Sequence, residues 1–187
     1  MRTRTLVPLA ALLLAAGCGP CGYNRIVTEE QGVESQWSGV ETQLQRRADL
    51  IPNLVEVAKG YATHEKDVFS NIATARAAMM GASSRADKIQ ASNAMDGAIG
   101  RLFSIAENYP NLKADANFTR LMDELSGTEN RLVVARKRYN DAVQIYNTDV
   151  RGIPGSWWAR IGNFPAQKDY FKADASAKAA PHVQFAK

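Results

Sequence analysis

Apolar residues recur at intervals of three and four along most of the chain, and polar residues fill the positions between them. The first such series comprises Val33, Trp37, Val40, Leu44, Ile51, Leu54, Ala58 and Tyr61. This spacing places the apolar side chains on one face of a helix, with Arg47 as the polar interruption. We therefore predict a long first helix from about Thr28 to Ala62, kinked between Ala48 and Ile51 because Pro52 removes a backbone hydrogen bond.

Two shorter helices follow with the same periodicity. The second helix is predicted to begin near Thr63, which can cap it, and the third follows a turn at residues 81–84. Ser84 and Asp87 have the spacing of a capping box at the start of this third helix. Pro110 ends the third helix, and Asp115 can cap the fourth. The apolar positions of these two helices are Val68, Ile72, Ala75, Met79, Met95, Ile99, Leu102, Ile105 and Tyr109.

The fourth helix has the most regular pattern. Residues recur every seven positions in two interleaved rows, which is the seam of a left-handed helical bundle. One row is Phe118, Leu125, Leu132, Tyr139 and Tyr146, and the other is Leu121, Thr128, Ala135 and Ala142. Because no stretch alternates with period two, the predicted fold class is all-α. We expect an antiparallel four-helix bundle over residues 25–151, with long first and last helices.

The N-terminus is typical of an export signal. Arg2 and Arg4 precede an apolar run from Leu6 to Ala16, which is too short to span a bilayer. The next residues, Gly17 and Cys18, complete a sequence that resembles the lipobox of bacterial lipoproteins, in which the cysteine receives a diacylglycerol. We therefore predict a signal peptide at residues 1–17, lipidation of Cys18 and a lipid-anchored linker at residues 18–24. Simple secretion and an uncleaved membrane anchor are the alternatives.

Beyond residue 151 the composition changes. Residues 152–172 are predicted to form a short amphipathic segment, whose apolar residues at helical spacing are Ile153, Trp157, Ile161 and Phe164. Residues 173–187 are rich in Ala and Lys without apolar periodicity, which indicates a flexible tail. Two adjacent tryptophans with basic neighbours, Trp157 and Trp158, are candidates for contact with a membrane interface or a partner protein. Alternatively, this segment folds back and closes the end of the bundle.

Composition and charge exclude several classes of function. The 23 basic and 19 acidic residues give a net charge of +4, which falls to +2 when Arg2 and Arg4 leave with the signal peptide. Because the basic residues are spread along the chain, the concentrated basic face that nucleic-acid binding requires is missing. Two cysteines and two histidines are too few for a disulfide framework or a zinc site, so we predict no metal and no cofactor.

Two short motifs carry no predicted chemistry. Residues 18–21 spell Cys-Gly-Pro-Cys, as in thioredoxin-like redox sites, but no βαβ pattern surrounds them and lipidation would consume the first sulfur. His64 and Glu65 would supply half of a metal site, but the other histidine, His182, lies in the predicted tail. His64 is therefore expected to hydrogen-bond at the helix turn.

Polar residues beside the apolar seams of the first and last helices form the candidate site. They are Arg46, Asp49, Asn53, Glu129, Asn130, Arg136 and Asn140. We interpret them as a structural network of ion pairs and amide hydrogen bonds that sets the helix register. The alternative is a catalytic pair of carboxylates, Asp49 with Glu129, because burial can raise the pKa of one of them. No serine–histidine–aspartate order or glycine-rich phosphate loop supports catalysis, so no catalytic residue is predicted.

Three blocks of the sequence resemble the LemA family. The first block is Arg46–Val55 with Lys59–Glu65, and the second is Ala106–Ala114 with Asn117 and Phe118. The third, in the last helix, comprises Thr128–Leu132, Ala135-Arg136, Tyr139-Asn140 and Tyr146-Asn147. Gly22-Tyr23-Asn24 is similar to the family's entry into the first helix, so the likeness covers about residues 22–172. The resemblance implies a membrane-associated helical bundle without an assigned enzymatic activity, accompanied by membrane proteins of the TPM type.

The sequence thus predicts a non-catalytic, membrane-anchored helical bundle of the bacterial cell envelope that acts as a scaffold or protein-interaction module. Its expected partners are the membrane and other envelope proteins, and nucleic acid is excluded. It is expected to face the periplasm or the exterior, at the outer membrane of a Gram-negative host because Gly19 follows Cys18. The alternatives are an envelope enzyme that uses Asp49 and Glu129 and a small-ligand sensor with a cavity between its helices.

Overall fold

The structure of the protein, a computed structural model, describes the backbone of residues 6–172 and the side chains of residues 22–172. The described residues form six helices and no strand, so the predicted all-α class is confirmed. The helices are α1 Leu6–Tyr61, α2 Lys66–Gly81, α3 Arg85–Asn108, α4 Pro110–Lys113, α5 Ala116–Arg151 and α6 Gly155–Ile161. Four helices are long, and the two short ones, α4 and α6, bring the number to six instead of the four that the pattern predicts.

The predicted terminal segments lie largely outside the described residues. These are the side chains of the predicted signal peptide, the side chain of Cys18 and the predicted tail at residues 173–187. Within the described part of the chain, none of the helices has an apolar stretch long enough to cross a bilayer.

The apolar pattern predicts that the first helix starts near Thr28. The observed helix, α1, starts further upstream, at Leu6, and continues through Pro52. A proline inside a helix leaves the carbonyl four residues earlier without its backbone donor. That carbonyl belongs to Ala48, and the Nε atom of Arg76 in α2 donates to it at 2.9 Å. The helix therefore continues past Pro52 because a side chain of another helix replaces the missing N–H.

Side chains cap α3 and α5 as the sequence predicts. Ser84 Oγ accepts a hydrogen bond from the backbone N–H of Asp87 at 3.1 Å. Asp115 Oδ1 accepts one from the N–H of Phe118 at 2.9 Å, and this bond holds the pKa of Asp115 below its usual value. The predicted cap at Thr63 is wrong, because α2 begins three residues later with Glu65 at its N-cap position.

The chain divides into two units by its contacts. Among the described residues, the central unit comprises residues 40–134 and 171–172, and the terminal unit comprises residues 6–39 and 135–170. Both α1 and α5 contribute residues to each unit.

Each unit buries its own apolar core. In the central unit the heptad residues Phe118, Leu125 and Leu132 of α5 are buried, and the other helices contribute Leu44, Ile51, Leu54, Ile72, Met95, Ile99, Leu102 and Leu112. In the terminal unit the heptad row continues with Tyr139 and Tyr146, which are buried together with Ile26, Val33, Trp37, Val143 and Val150. The rings of Trp37 and Tyr139 pack with centroids 5.2 Å apart at 60°. The predicted seam of the last helix is therefore the buried face of α5.

Candidate functional site

A buried arginine joins three helices of the central unit. The side chain of Arg47 on α1 is only 4% exposed, and its Nη1 atom forms ion pairs with Asp96 on α3 and Glu129 on α5. Nη1 lies 3.2 Å from Oε2 of Glu129. The two carboxylates are 37% and 35% exposed, so solvent still stabilises them while they neutralise the buried guanidinium. This arrangement serves to fix the three helices relative to one another.

The seven residues predicted as a polar network occupy different environments. Four of them are exposed, namely Arg46, Asp49, Asn53 and Asn130. The carboxylate of Asp49 accepts a hydrogen bond from Gln45 Nε2 at 2.9 Å, which is a contact within α1. Glu129 pairs with the buried arginine. The remaining two, Arg136 and Asn140, are half-buried residues of the terminal unit.

Sequence reasoning missed the two residues that define this cluster with Glu129. Arg47 is visible in the sequence as the one polar interruption of the apolar stripe of α1, and that interruption is the signal that a charge lies in the helix seam. Asp96 could not be found in the same way, because it lies 49 residues further along the chain on another helix. A partner between helices follows no fixed sequence spacing, whereas partners within one helix do.

A lysine fixes the segment that follows α6, here named the C-terminal segment (residues 164–170). The Nζ atom of Lys168 forms ion pairs with Glu30 at 2.9 Å and Glu34 at 3.3 Å, both on α1. The same ammonium lies 5.4 Å from the centroid of the Tyr146 ring. A non-helical segment is thus held against α1 and α5 within the terminal unit.

Side chains of α5 bind the backbone of the C-terminal segment. The hydroxyl of Tyr146 donates to the carbonyl of Pro165 at 2.7 Å, and that of Tyr139 donates to the carbonyl of Asp169 at 2.8 Å. The amide of Asn147 donates to the Lys168 carbonyl at 2.9 Å and accepts from the Lys168 N–H at 2.8 Å. These buried polar groups satisfy a backbone that has no helix or strand partner. Burial raises the pKa of Tyr146 to about 12, with the charges of nearby glutamates adding to the effect.

A second charged cluster of the terminal unit contains two neighbouring carboxylates. Arg25 Nε donates to Asp149 at 2.9 Å and to Glu29 Oε1 at 3.2 Å. Burial raises the pKa of Glu29, and the charge of Asp149 raises it further, whereas Arg25 opposes the shift. The other oxygen of Glu29, Oε2, is buried without a hydrogen-bond partner among the described residues. The folded environment of Glu29 therefore disfavours the charged form of its carboxyl group.

The two adjacent tryptophans of α6 have different environments. Trp158 packs against α1, because a Cβ atom added to Gly22 would lie 2.6 Å from Cδ1 of its indole. Beside this contact, the rings of Tyr23 and Phe164 lie 5.5 Å apart. Trp157, in contrast, is 61% exposed. Only Trp157 therefore offers its ring to a membrane or a partner, while Trp158 belongs to the packing of the terminal unit.

An exposed apolar face and an arginine-lined cavity accompany Trp157. Ile153 and Ile161, each four residues away from Trp157, are 78% and 71% exposed. A cavity of about 490 Å³ lies in the same unit and is lined by Val150, Arg151, Ser156, Ala159, Arg160, Asn163, Phe164, Ala166 and Gln167. The described residues that line it include two guanidinium groups and no carboxylate, which suits an anionic group.

The described residues contain no group of three or more His, Cys, Asp or Glu side chains that could hold a metal ion. His64 is exposed in the turn between α1 and α2. Neither observation tests the predicted absence of a cofactor, which stays a prediction.

Together the described residues define an all-helical arrangement with internally paired buried charges and an exposed apolar patch at α6. Residues 36–185 match the LemA family, so the chain belongs to that family and the resemblance is confirmed. The chain is also 25% identical over 176 residues to magnetosome proteins MamQ 2 and MamQ 1 of Paramagnetospirillum magneticum, and over 175 residues to MamQ of Magnetospirillum gryphiswaldense. Each alignment covers 80% of this chain and 64% of the relative, which is less than two thirds of its length.

Proposed function

We propose that the protein is a non-catalytic helical scaffold of the bacterial cell envelope. In this proposal it is anchored to a membrane through a lipid on Cys18, and its long helices form an antiparallel bundle. It faces the periplasm or the exterior, at the outer membrane of a Gram-negative host, and presents its helices to other envelope proteins, including those of the TPM type. The relatives' name associates them with the magnetosome, and we extend to this chain only a general role as part of a larger cellular assembly.

The observation that carries the proposal is the engagement of Glu129 by Arg47. A catalytic pair would require Glu129 and Asp49 to line an open cleft together. Glu129 instead neutralises a buried guanidinium 3.2 Å away, and the hydrogen bond of Asp49 is made within its own helix. The carboxylate that an enzyme would need is thus used for helix packing.

The structural role of Glu129 is tested by comparing two substitutions that remove one charge each. Glu129→Gln should lower the free energy of unfolding by about 0.5–1.5 kcal/mol, because Arg47 loses one of its two counter-charges at a partly exposed site. Asp49→Asn is the control and should leave it unchanged, since Asp49 is exposed. Urea unfolding of the two variants and the parent measures both effects. Equal stability of all three proteins would remove the support for a structural Glu129.

The anchor is tested by substituting each cysteine in turn. Cys18→Ser should abolish incorporation of labelled palmitate and release the protein from the membrane fraction, whereas Cys21→Ser should change neither. If the parent incorporates no labelled palmitate and Cys18→Ser stays in the membrane fraction, the lipid is excluded as the anchor. If the parent protein itself is found in the soluble fraction, membrane anchoring is wrong.

The scaffold role is tested by photo-crosslinking in intact cells from an exposed apolar position of α5. Val133 is suitable because its side chain is more than half exposed although it follows the buried Leu132. A photoreactive residue there should give discrete adducts with envelope proteins, and one at the exposed Arg138 of the same helix serves as the control. If Val133 gives no adduct beyond those of the Arg138 control, the result counts against a scaffold.

A further inference from the structure

No contact among the described residues accounts for the exposed apolar face of α6. Trp157 and Ile161 are four residues apart on α6, so their side chains share one face of the helix, and Ile153 lies in the turn that precedes it. All three are more than half exposed, which is unusual for neighbouring large apolar side chains. A tryptophan between two isoleucines is the composition that favours the boundary between water and lipid.

The place of α6 in the terminal unit identifies what this face meets. Trp158 packs on Gly22, and Phe164 packs on Tyr23, so α6 lies beside the part of α1 that directly follows the predicted anchor. Cys18 precedes Gly22 by one helical turn, which is about 6 Å along the axis of α1. A lipid attached at Cys18 would therefore bring the membrane surface to the level of α6.

The charged residues beside this face indicate which kind of membrane surface it would contact. Arg160 lies three residues from Trp157, so the two side chains are neighbours on α6. Arg160 lines the cavity of about 490 Å³ together with Arg151 and Ser156, and no carboxylate lines it among the described residues. Arg151 also donates to the side-chain oxygen of Gln167, which orients its guanidinium. Two arginines and a hydroxyl are the donors that bind phosphate oxygens.

We propose that α6 is a second membrane contact that rests on an anionic phospholipid surface. Trp157, Ile153 and Ile161 enter the interface, and Arg151 and Arg160 bind the headgroup phosphates. This inference rests on the membrane anchoring of the proposed function, because the anchor supplies the surface. It goes further by naming the lipid chemistry and the residues that recognise it.

The experiment uses the full-length protein reconstituted into vesicles with brominated acyl chains, made of phosphatidylcholine alone or with phosphatidylglycerol. Flotation reports anchoring, and quenching of tryptophan fluorescence reports lipid contact. The signal of Trp157 is obtained as the difference between the parent and Trp157→Phe. Arg151→Gln and Arg160→Gln are compared with Arg138→Gln, which removes an exposed charge from α5 in the same unit.

We expect strong quenching of Trp157 in vesicles with phosphatidylglycerol and weak quenching without it. Each of the two arginine substitutions should lower the ratio of lipid-contacting to free Trp157 about fivefold, and Arg138→Gln should not. If the protein floats but Trp157 is unquenched, or quenched equally in both lipids and in every variant, the inference is wrong while the anchor stands. A face that binds a protein partner instead of lipid would leave Trp157 unquenched. If the protein does not float, the anchor and this inference fail together.

Discussion

At the scale of single residues, the hydrogen bond from Arg76 to the Ala48 carbonyl shows how one side chain can permit an otherwise unfavourable residue. Pro52 lies within α1 and deprives that carbonyl of its donor, and the guanidinium of a different helix supplies one. The pattern of apolar residues indicates the helix and the disturbance at Pro52. It cannot indicate Arg76, because the compensating contact depends on how α2 packs.

This compensation is tested with a double-mutant cycle. Arg76→Met should lower the free energy of unfolding by about 1–3 kcal/mol, since it leaves the carbonyl of Ala48 without a donor. In a Pro52→Ala background residue 52 has its own N–H, so the same substitution should cost less than about 1 kcal/mol. Urea unfolding of the four proteins gives both values. An equal cost in the two backgrounds would show that Arg76 stabilises the protein by other contacts.

The raised pKa of Glu29 leads to a prediction, again at the scale of one residue, about how stability depends on pH. Its pKa is raised in the folded protein by burial and by Asp149, so its ionisation favours unfolding. The cost is absent below the unfolded pKa of about 4.3 and develops as the pH rises from there through the raised folded value. Glu29→Gln should therefore stabilise the protein at pH 7, and the gain should vanish near pH 4.

The control for this prediction is Glu56→Gln, because Glu56 is highly exposed and belongs to an ion pair within α1. Thermal unfolding from pH 4 to pH 7 should show a growing difference between Glu29→Gln and the parent, and no such trend for the control. A gain that is constant with pH would mean that packing, and not the carboxylate charge, is responsible.

At the scale of helices, the regular elements follow from the sequence and the irregular ones do not. The sevenfold repeat of α5 predicts the burial of Phe118, Leu125 and Leu132, because repeated side chains must share one face. The Ser84 cap is also predictable, since its partner is three residues away. The C-terminal segment is different: its bonds to Tyr146 and Asn147 join residues about twenty positions apart without periodicity. In the cluster around Arg47, Asp96 escapes prediction for the same reason, because it lies 49 residues from Arg47 on another helix.

The packing of α6 on α1 yields a prediction from two glycines of α1. Gly22→Ala should destabilise the protein by about 1 kcal/mol, because the new methyl group would displace Trp158 and this cost exceeds the gain in helix propensity. Gly39→Ala, where nothing lies within 4 Å, should stabilise it by about 0.5–1 kcal/mol. Urea unfolding distinguishes the two signs. Stabilisation by both substitutions would contradict the close approach of Trp158 to Gly22.

At the scale of the whole molecule, the two units are built from different stretches of chain. Within the described residues, the central unit uses mainly one continuous stretch, whereas the terminal unit combines the two ends. Its ion pairs reflect this, since Lys168 and Glu30 are 138 positions apart and Arg25 and Asp149 are 124 apart. Because these partners are so far apart in sequence, forming their contacts costs more loop-closure entropy than forming the contacts between α2 and α3.

We therefore expect the central unit to become ordered before the terminal unit during refolding. Pulsed hydrogen exchange should protect the amides of Ile72 and Met95 first and that of Lys168 later, because the Lys168 N–H is bound by the Asn147 side chain. Asn147→Ala should remove the late protection of Lys168 and leave the early phase unchanged. The control Asn71→Ala, an exposed position of α2, should alter neither phase. Simultaneous protection of all three amides would mean that the helices shared by both units order them in a single step.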